Sequence, residues 1–318
     1  MGIKSKVYAL TEKNGLIKYM YLVLHNVKVR KRLSLTDDEF AKKYYYEATK
    51  KQLNLETPQS FDEKQWWLKI HYRNPLMTQC VDKYRVREYV SACGLEHILN
   101  ELYDVYDGIS EIDLSKLPSE FFIKTNHGCA CNFLYNDRNK YLMENILIKM
   151  EKNLKENYYY QSREWPYKNV KPKIIAEKVL KSQNNTPLID FRFLCFEGKC
   201  HYIFIDIDTA DEQGRHKVHA KRNVYSKSFE LLPVKVGRDN FAPELIQKPE
   251  NLDEMIAYVE ILSKPFPFVR VDLYNVDGKI IFGEMTFYHA GSSSVFDPWS
   301  FSDELGDLIK LPNDEYVV

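Results

Sequence analysis

The sequence predicts an α+β protein: a mostly helical first hundred residues, then antiparallel hairpins. Three observations carry this. Before about residue 110, apolar residues recur at helical spacing behind recognisable helix starts. Beyond it, apolar runs of strand length take over. Between two pairs of those runs stand Glu197-Gly198 and Asp277-Gly278, dipeptides suited to tight hairpin turns.

The elements follow in chain order. Residues 14–34 carry apolar side chains at helical intervals and end in the basic cluster Lys28, Arg30, Lys31 and Arg32. That pattern suits a helix lying on an anionic membrane surface, or a core-packed helix with a solvated basic end, and we prefer the second. Thr36 with Glu39, and Ser60 with Glu63, have capping-box spacing ahead of FAKKYYYEATKKQL and KQWWLKIHY. A further helix is expected over 78–93, stopped by Gly94. Strands are expected at EFFIK (120–124), PKIIAEKVL (172–180), DFRFLCF (190–196), KCHYIFIDI (199–207), PFVRVDLYNV (267–276) and KIIFGEMTF (279–287). Helical stretches at 137–157 and 251–263 separate some of them, and ENYYYQSREWPYKN (156–169) reads as an ordered surface loop.

Composition narrows the class. At 318 residues, with 28% charged and 14% aromatic residues and only 12 Gly and 13 Pro, the chain suits a folded globular protein. Lys+Arg and Asp+Glu are both 45, so no overall field favours nucleic acid as a partner. The six cysteines include no C-x-x-C pair, and Cys129-Ala130-Cys131 beside His127 lacks the spacing of a tetrahedral zinc site. Reduced thiols fit best. The opening MGIKSKVYALTEKN lacks the apolar stretch of a secretory signal, and no segment approaches the ~18 apolar residues of a membrane span. The expected location is the cytoplasm, with residues 14–34 the one segment suited to peripheral contact at the inner face of the membrane.

The richest chemistry lies in FVRVDLYNVDGKIIFGEMTF (268–287), where Asp272 and Glu284 are each the sole acid of an apolar strand. Loop parity decides whether they share a face. A two-residue Asp277-Gly278 turn would set Asp272 opposite Gly283; a three-residue loop would pair Asn275 with Lys279. The odd loop puts Arg270, Asp272, Phe282, Glu284 and Thr286 on one face and leaves the other apolar, so it is preferred. Two carboxylates then serve one hard cation such as Mg²⁺. The bland alternative is that Arg270 merely neutralises Asp272.

Cations upstream favour the first reading. Lys124 ends a strand at TNHGCACN, where very small side chains let backbone N–H groups approach a phosphate. Glu177-Lys178, Asp190, Arg192 and Arg222 also stand within or at the ends of apolar runs. In DKYRVREYV, the charges Asp82, Lys83 and Arg87 are either a solvated helix face or a wall for an acidic substrate. A Cys131 nucleophile paired with His127 lacks an orienting partner nearby in sequence and is set aside.

Five segments, FDEKQWWLKIHYRNPLMTQCVDKYRVREYV, LPSEFFIKTNHGCACNF, REWPYKNVKPKIIAEKVL, DFRFLCFEGK and VRVDLYNVDGKIIFGEMTFYHAG, together resemble the TupA-like branch of ATP-grasp enzymes, associated with teichuronopeptide and bacterial surface-polysaccharide biosynthesis. The resemblance spans about 60–295. It implies two α+β subdomains with antiparallel sheets clasping ATP. A helical region over 1–110 would precede an ATP-grasp domain over 111–318. That domain would divide into a first subdomain over about 111–175 with the phosphate loop and a second over about 176–300 with the metal hairpin.

By position, the resemblance implies that Lys124 contacts the α/β-phosphates beneath a loop of His127, Gly128, Cys129 and Ala130. It assigns Glu177, Lys178, Val179 and Leu180 to the adenine hinge, groups Asp190 with the nucleotide, and gives Arg192 and Arg222 to the transferred phosphate. Asp272 and Glu284 match magnesium ligands, and Thr286 stands where many ATP-grasp enzymes have Asn. Asp82, Lys83 and Arg87 fall on the substrate side. The implied activity is a Mg·ATP-dependent carboxylate–amine ligase working through an acyl-phosphate, joining an amino acid or small amine to a uronic acid of a surface glycan. The alternatives are an ATP-dependent phosphotransferase, a nucleotide-sugar glycosyltransferase, and a non-catalytic membrane-associated scaffold.

Overall fold

A computed structural model of the chain describes residues 33–318 except 130, 139–141, 185, 212–213, 215–216 and 218. The 14–34 stretch therefore falls, but for its last two residues, outside the described part, as does Ala130.

Helix α1 (Asp37–Thr49) starts as expected: Thr36 and Glu39 exchange hydrogen bonds in a complete capping box. At α2 (Phe61–His71) half of the box forms, the Glu63 carboxylate accepting from the Ser60 N–H at 3.0 Å, while the Ser60 hydroxyl has no partner. The single helix expected over 78–93 is two: α3 (Leu76–Val81) and α4 (Val86–Ala92). Asp82 breaks it, because its Oδ1 accepts from the N–H groups of Tyr84 and Arg85 and so offers the backbone an alternative to helix. Gly94, at φ +77°, follows the end of α4.

Four strands form a small antiparallel sheet in the order β1 (Leu102–Tyr106), β4 (Ile174–Glu177), β2 (Phe121–Thr125), β3 (Asn132–Tyr135). Sequence reading missed β1, inside the stretch expected to be helical, and β3; both are short. Helix α5 (Met143–Leu154) covers one face of this sheet, with Met143, Ile146 and Met150 meeting Phe121, Ile123, Ile174 and Ala176. The alternation along β2 therefore turns Phe122 and Lys124 the other way. The Tyr-rich segment that follows holds a short helix α6 (Tyr159–Ser162) and a 3₁₀ turn, Trp165–Asn169.

Six strands make the large antiparallel sheet: β11 (Lys279–Thr286), β10 (Phe268–Val276), β5 (Asp190–Phe196), β6 (Lys199–Ile207), β7 (Lys221–Ser226) and β8 (Leu231–Leu232). Its apolar face packs under α7 (Leu252–Ser263), whose Leu252, Met255, Ile256, Val259 and Leu262 repeat at helical spacing. A ribbon of β9 (Lys235–Val236) and β12 (Phe296–Asp297) and the helix α8 (Ser300–Asp307) complete the fold. Phe61 of α2 ties the helical region to the large sheet, edge-on to Phe268 at 5.0 Å.

The β10–β11 hairpin corrects one expectation and explains another. The turn is the two-residue one: Val276 pairs with Lys279, and both Asp277 and Gly278 have positive φ, which matches a type I′ turn to the twist of the strands. Parity alone would then part the two acids. A bulge at Gly283 inserts one extra residue, so that Asp272 pairs directly with Glu284 while Leu273 pairs with Phe282. Phe282 consequently joins Leu273 in the core instead of sharing the charged face.

Candidate functional site

Strand register collects the charges on the face of the large sheet opposite α7. Asp272 lies opposite both Arg192 and Glu284, Arg270 opposite Thr286, Asp190 opposite Asp206, and Asp206 opposite Arg222. Residues directly opposed across a ladder point the same way. One floor therefore carries Asp190, Arg192, Asp206, Arg222, Arg270, Asp272, Glu284 and Thr286.

Asp206 is its centre. Fully buried, it accepts from Arg222 Nε and Nη2 at 2.6 Å each and from Arg238 Nη1 at 2.7 Å, with Arg192 Nε at 3.0 Å. Burial alone would raise its pKa; Arg192, Arg222 and Arg238 outweigh that and bring it down to about 2. His289 stands between Arg222 (3.3 Å) and Arg270 (2.9 Å). Burial and then these guanidiniums push its pKa well down, so the imidazole is neutral. Asp206, Arg238 and His289 were not singled out from the sequence. Asp206 carried the same signal as Asp272, an acid in an apolar strand.

Arg270 holds the two candidate metal carboxylates. It donates to Asp272 through Nε (2.6 Å) and Nη2 (2.7 Å), and the same Nη2 reaches Glu284 Oε1 at 3.3 Å. The carboxylates thus converge on one cationic group. Burial lifts the Asp272 pKa to about 6 against the pull of Arg270 and Arg192. For Glu284 burial acts in the same upward direction, but Lys83, Arg270 and Arg192 prevail and hold it below its ordinary value. Its side chain is 42% exposed, so the cations shape an open carboxylate rather than a sealed one. Among the described residues no group of three or more His, Cys, Asp or Glu side chains converges on one point. Two carboxylates on one point nevertheless fit Mg²⁺, which keeps waters and takes phosphate oxygens for its other positions.

A second group of charges comes from β2 and β4 of the small sheet. Lys124 Nζ lies 2.6 Å from Glu177 Oε2, and Arg87 of α4 reaches the other oxygen at 4.0 Å. The loop after β2 is fastened from below by Asn126, whose amide donates to Asp82 Oδ1 (2.8 Å) and the Lys171 carbonyl (3.0 Å) and accepts from the Lys173 N–H (2.7 Å). Lys83 spans the two sides: Nζ donates to the Gly128 carbonyl at 2.6 Å and lies 3.8 Å from Glu284. Cys129 is exposed. The His127 ring is buried and turned to the end of α5, Nε2 lying 3.0 Å from the Asn153 carbonyl, so it anchors the loop by its side chain.

Along the hinge, Lys178 is not brought to the cluster. Its side chain is exposed beside Glu101 (3.0 Å), its N–H donates to the Glu101 carbonyl, and its carbonyl accepts from Asn100. Val179 and Leu180, half-buried, follow it out of the strand. Asp190 lies 3.7 Å from Arg192. Thr286 is half-buried opposite Arg270. Asp82 is buried and spent on the Asn126 brace and on the Tyr84 and Arg85 N–H groups ahead of α4.

A family model described as TupA-like ATPgrasp matches residues 63–310. A search of curated proteins found no match. Among solved structures, the chain is similar to a D-alanine–D-alanine ligase from Bacillus anthracis complexed with ATP, at 15% identity and TM-score 0.42, covering 73% of this chain and 65% of that one. It is also similar to the D-cycloserine synthetase DcsG (15% identity, TM-score 0.42, covering 74% and 72%). A third is the VanG D-Ala:D-Ser ligase from Enterococcus faecalis (12% identity, TM-score 0.44, covering 73% and 61%).

Proposed function

This chain belongs to the TupA-like ATP-grasp family, and we propose that it is a Mg·ATP-dependent ligase joining a carboxylate to an amine. The observation that carries the reading is the direct pairing of Asp272 with Glu284 on a floor of guanidinium groups, facing Lys124 and the small-residue loop. Seven cations around the cleft (Lys83, Arg87, Lys124, Arg192, Arg222, Arg238 and Arg270) meet five carboxylates (Glu177, Asp190, Asp206, Asp272 and Glu284). These guanidinium and ammonium groups suit an anionic nucleotide complex.

Asp272 and Glu284 would hold Mg²⁺, with Thr286 alongside; bound there, the ion neutralises charge on the phosphates and aligns them. Lys124 and the N–H groups of residues 127–130 bind the phosphates, and 177–180 with Asp190 line the nucleotide side. Arg192 and Arg222 stabilise the transferred group. A carboxylate oxygen attacks the γ-phosphorus and the bond to ADP breaks. The amine nitrogen, having lost one proton, then attacks the acyl carbon; the C–O bond to phosphate breaks, and a second proton leaves with the phosphate.

The carboxylate we propose is a uronic acid of a bacterial surface glycan, on the family's associations, and the amine an amino acid or small amine. Lys83 and Arg87, with Asp82 holding the loop beneath them, form the wall nearest this acceptor. The reaction takes place on the cytoplasmic side, where ATP is available. No described helix is long and apolar enough to cross a membrane.

The test is incubation with Mg·ATP, hydroxylamine and a panel of uronic-acid glycosides. A hydroxamate forming together with ADP is expected. ADP formed with phosphate on a sugar hydroxyl would instead establish the phosphotransferase.

A further inference from the structure

Arg238 is a guanidinium of the site with no task in the reaction above. Its side chain is 30% exposed, more than that of any other of the seven cations. Among the described residues its one hydrogen-bond partner is Asp206: Nη1 donates to Oδ2 at 2.7 Å, and Nε and Nη2 donate to nothing. Arg222 and Arg270 have no such freedom. Arg222 meets Asp206 through Nε and Nη2 and turns Nη1 to the Val236 carbonyl at 3.4 Å. Arg270 is spent on Asp272, Glu284 and His289.

Asp206 is paired without it. Arg222 meets that carboxylate fork to fork, one nitrogen on each oxygen at 2.6 Å, which is a complete bidentate pair. Oδ2 then also takes Arg238, with Arg192 Nε 3.0 Å away, so three positive charges surround one negative. An anion beside Arg238 would relieve that surplus, and an ammonium would add to it. The backbone around the guanidinium is fastened on both sides. In the loop after β9, the Gly237 N–H donates to the Val295 carbonyl at 2.9 Å, and the Asp239 carbonyl accepts from the Arg222 N–H at 2.9 Å. The Asn240 amide donates to the Arg222 and Val234 carbonyls at 2.9 and 3.1 Å. A half-open guanidinium fork on a fixed backbone is suited to a carboxylate.

Its position on the floor selects which carboxylate. The metal pair lies on β10 and β11 and Asp206 on β6, two strands and about 10 Å across the sheet from Asp272. Arg192, assigned to the transferred phosphate, stands between them, 3.8 Å from Asp272 and 3.0 Å from Asp206. In an in-line transfer the entering oxygen and ADP lie on opposite sides of the γ-phosphorus. With the ion at Asp272 and Glu284 on the ADP side, the entering oxygen falls on the side of Arg238. We propose that Arg238 binds the carboxyl group of the uronic-acid substrate, Nη1 staying on Asp206 while Nε and Nη2 meet the two carboxylate oxygens. This rests on the ligase reading. One oxygen of the bound carboxylate keeps a lone pair for the γ-phosphorus. Lys83 and Arg87, engaged by the Gly128 carbonyl and by Glu177, are left for the remainder of the glycan. Arg238 selects an acid and takes no part in holding the nucleotide.

The intact chain and its Arg238→Gln and Arg238→Lys variants are assayed with Mg·ATP, hydroxylamine and methyl glucuronoside, varying the nucleotide and the uronoside in turn. Arg238→Gln should raise the KM for the uronoside about tenfold or more and leave the KM for Mg·ATP within about twofold. Arg238→Lys, which keeps the charge and loses the fork, should recover part of the loss. Calorimetric binding of methyl glucuronoside and of uncharged methyl glucoside, with Mg²⁺ and a non-hydrolysable ATP analogue, gives a readout without turnover. The parent should bind the uronoside about tenfold more tightly than the glucoside, and Arg238→Gln should erase the difference. An unchanged uronoside KM in Arg238→Gln, a matching rise in the KM for Mg·ATP, or a parent that binds both glycosides alike overturns the subsite. A parent that prefers the uronoside through Arg238 and yields no hydroxamate overturns the ligase reading instead, and the subsite stands.

Discussion

Asp206 shows what a single buried side chain has to satisfy here. Three guanidiniums surround it, and removing its charge would leave them facing one another without a counterion. Asp206→Asn should lower unfolding stability by roughly 3–5 kcal/mol, read as a fall in the urea midpoint. Because its pKa is depressed to about 2 from 3.8, its contribution is present above the unfolded value and is lost as pH falls through the folded one. That contribution is about 2 kcal/mol, and the urea midpoint of the parent should drop more steeply than that of the variant between those pH values. Asn126 is the neutral counterpart, a fully buried amide with its hydrogen-bonding groups used to hold Asp82 and the strand leading to β4 together. Sequence reading passed over it, because an Asn in a polar stretch looks like any loop residue.

At the level of the element, the metal hairpin depends on Gly283. A Cβ there would lie 2.9 Å from the Asp272 carbonyl and 3.3 Å from the Tyr274 ring, so the bulge has no space for a side chain. Gly283→Ala should shift the backbone, cost about 1–3 kcal/mol, and weaken Mn²⁺ binding measured by electron paramagnetic resonance. Asp272→Asn should abolish the same Mn²⁺ signal while a hairpin Asp277→Asn variant retains it; equal binding by all three would refute the shared-ion assignment. The β5 and β6 boundaries were legible because apolar runs of seven and nine residues flank Glu197-Gly198. The β10–β11 pairing was legible in outcome and not in cause. A bulge changes which residues face each other without altering the alternation on either side of it, and its one local sign is the isolated Gly283 within an apolar strand.

Across the whole molecule, the candidate nucleotide groups come from two sheets, which would supply the two walls around a bound nucleotide. Lys124 comes from the small sheet and the arginine floor from the large one, and Lys83 already links the loop of the first to Glu284 of the second. A nucleotide contacting both walls should stabilise the fold by about 2.7 kcal/mol when present at a hundred times its Kd. A rise in melting temperature with Mg²⁺ and a non-hydrolysable ATP analogue, greatly reduced in Lys124→Ala, is the expected outcome. An undiminished rise in that variant would show that Lys124 does not bind the nucleotide.

Helix starts, hairpin turns and the identity of the charged side chains in apolar strands were settled by local chemistry, since each depends on neighbours within a few residues. Asp272, Glu284 and Arg192 could therefore be singled out as charged residues of apolar strands, and Lys124 as the residue that ends one. What only the tertiary structure decided is which groups meet. Arg238 and His289 reach Asp206 and Arg270 from segments distant in the chain. Burial sets the energy of a charge by its surroundings in space, and those surroundings are assembled by strand register and helix packing that no local stretch of sequence encodes.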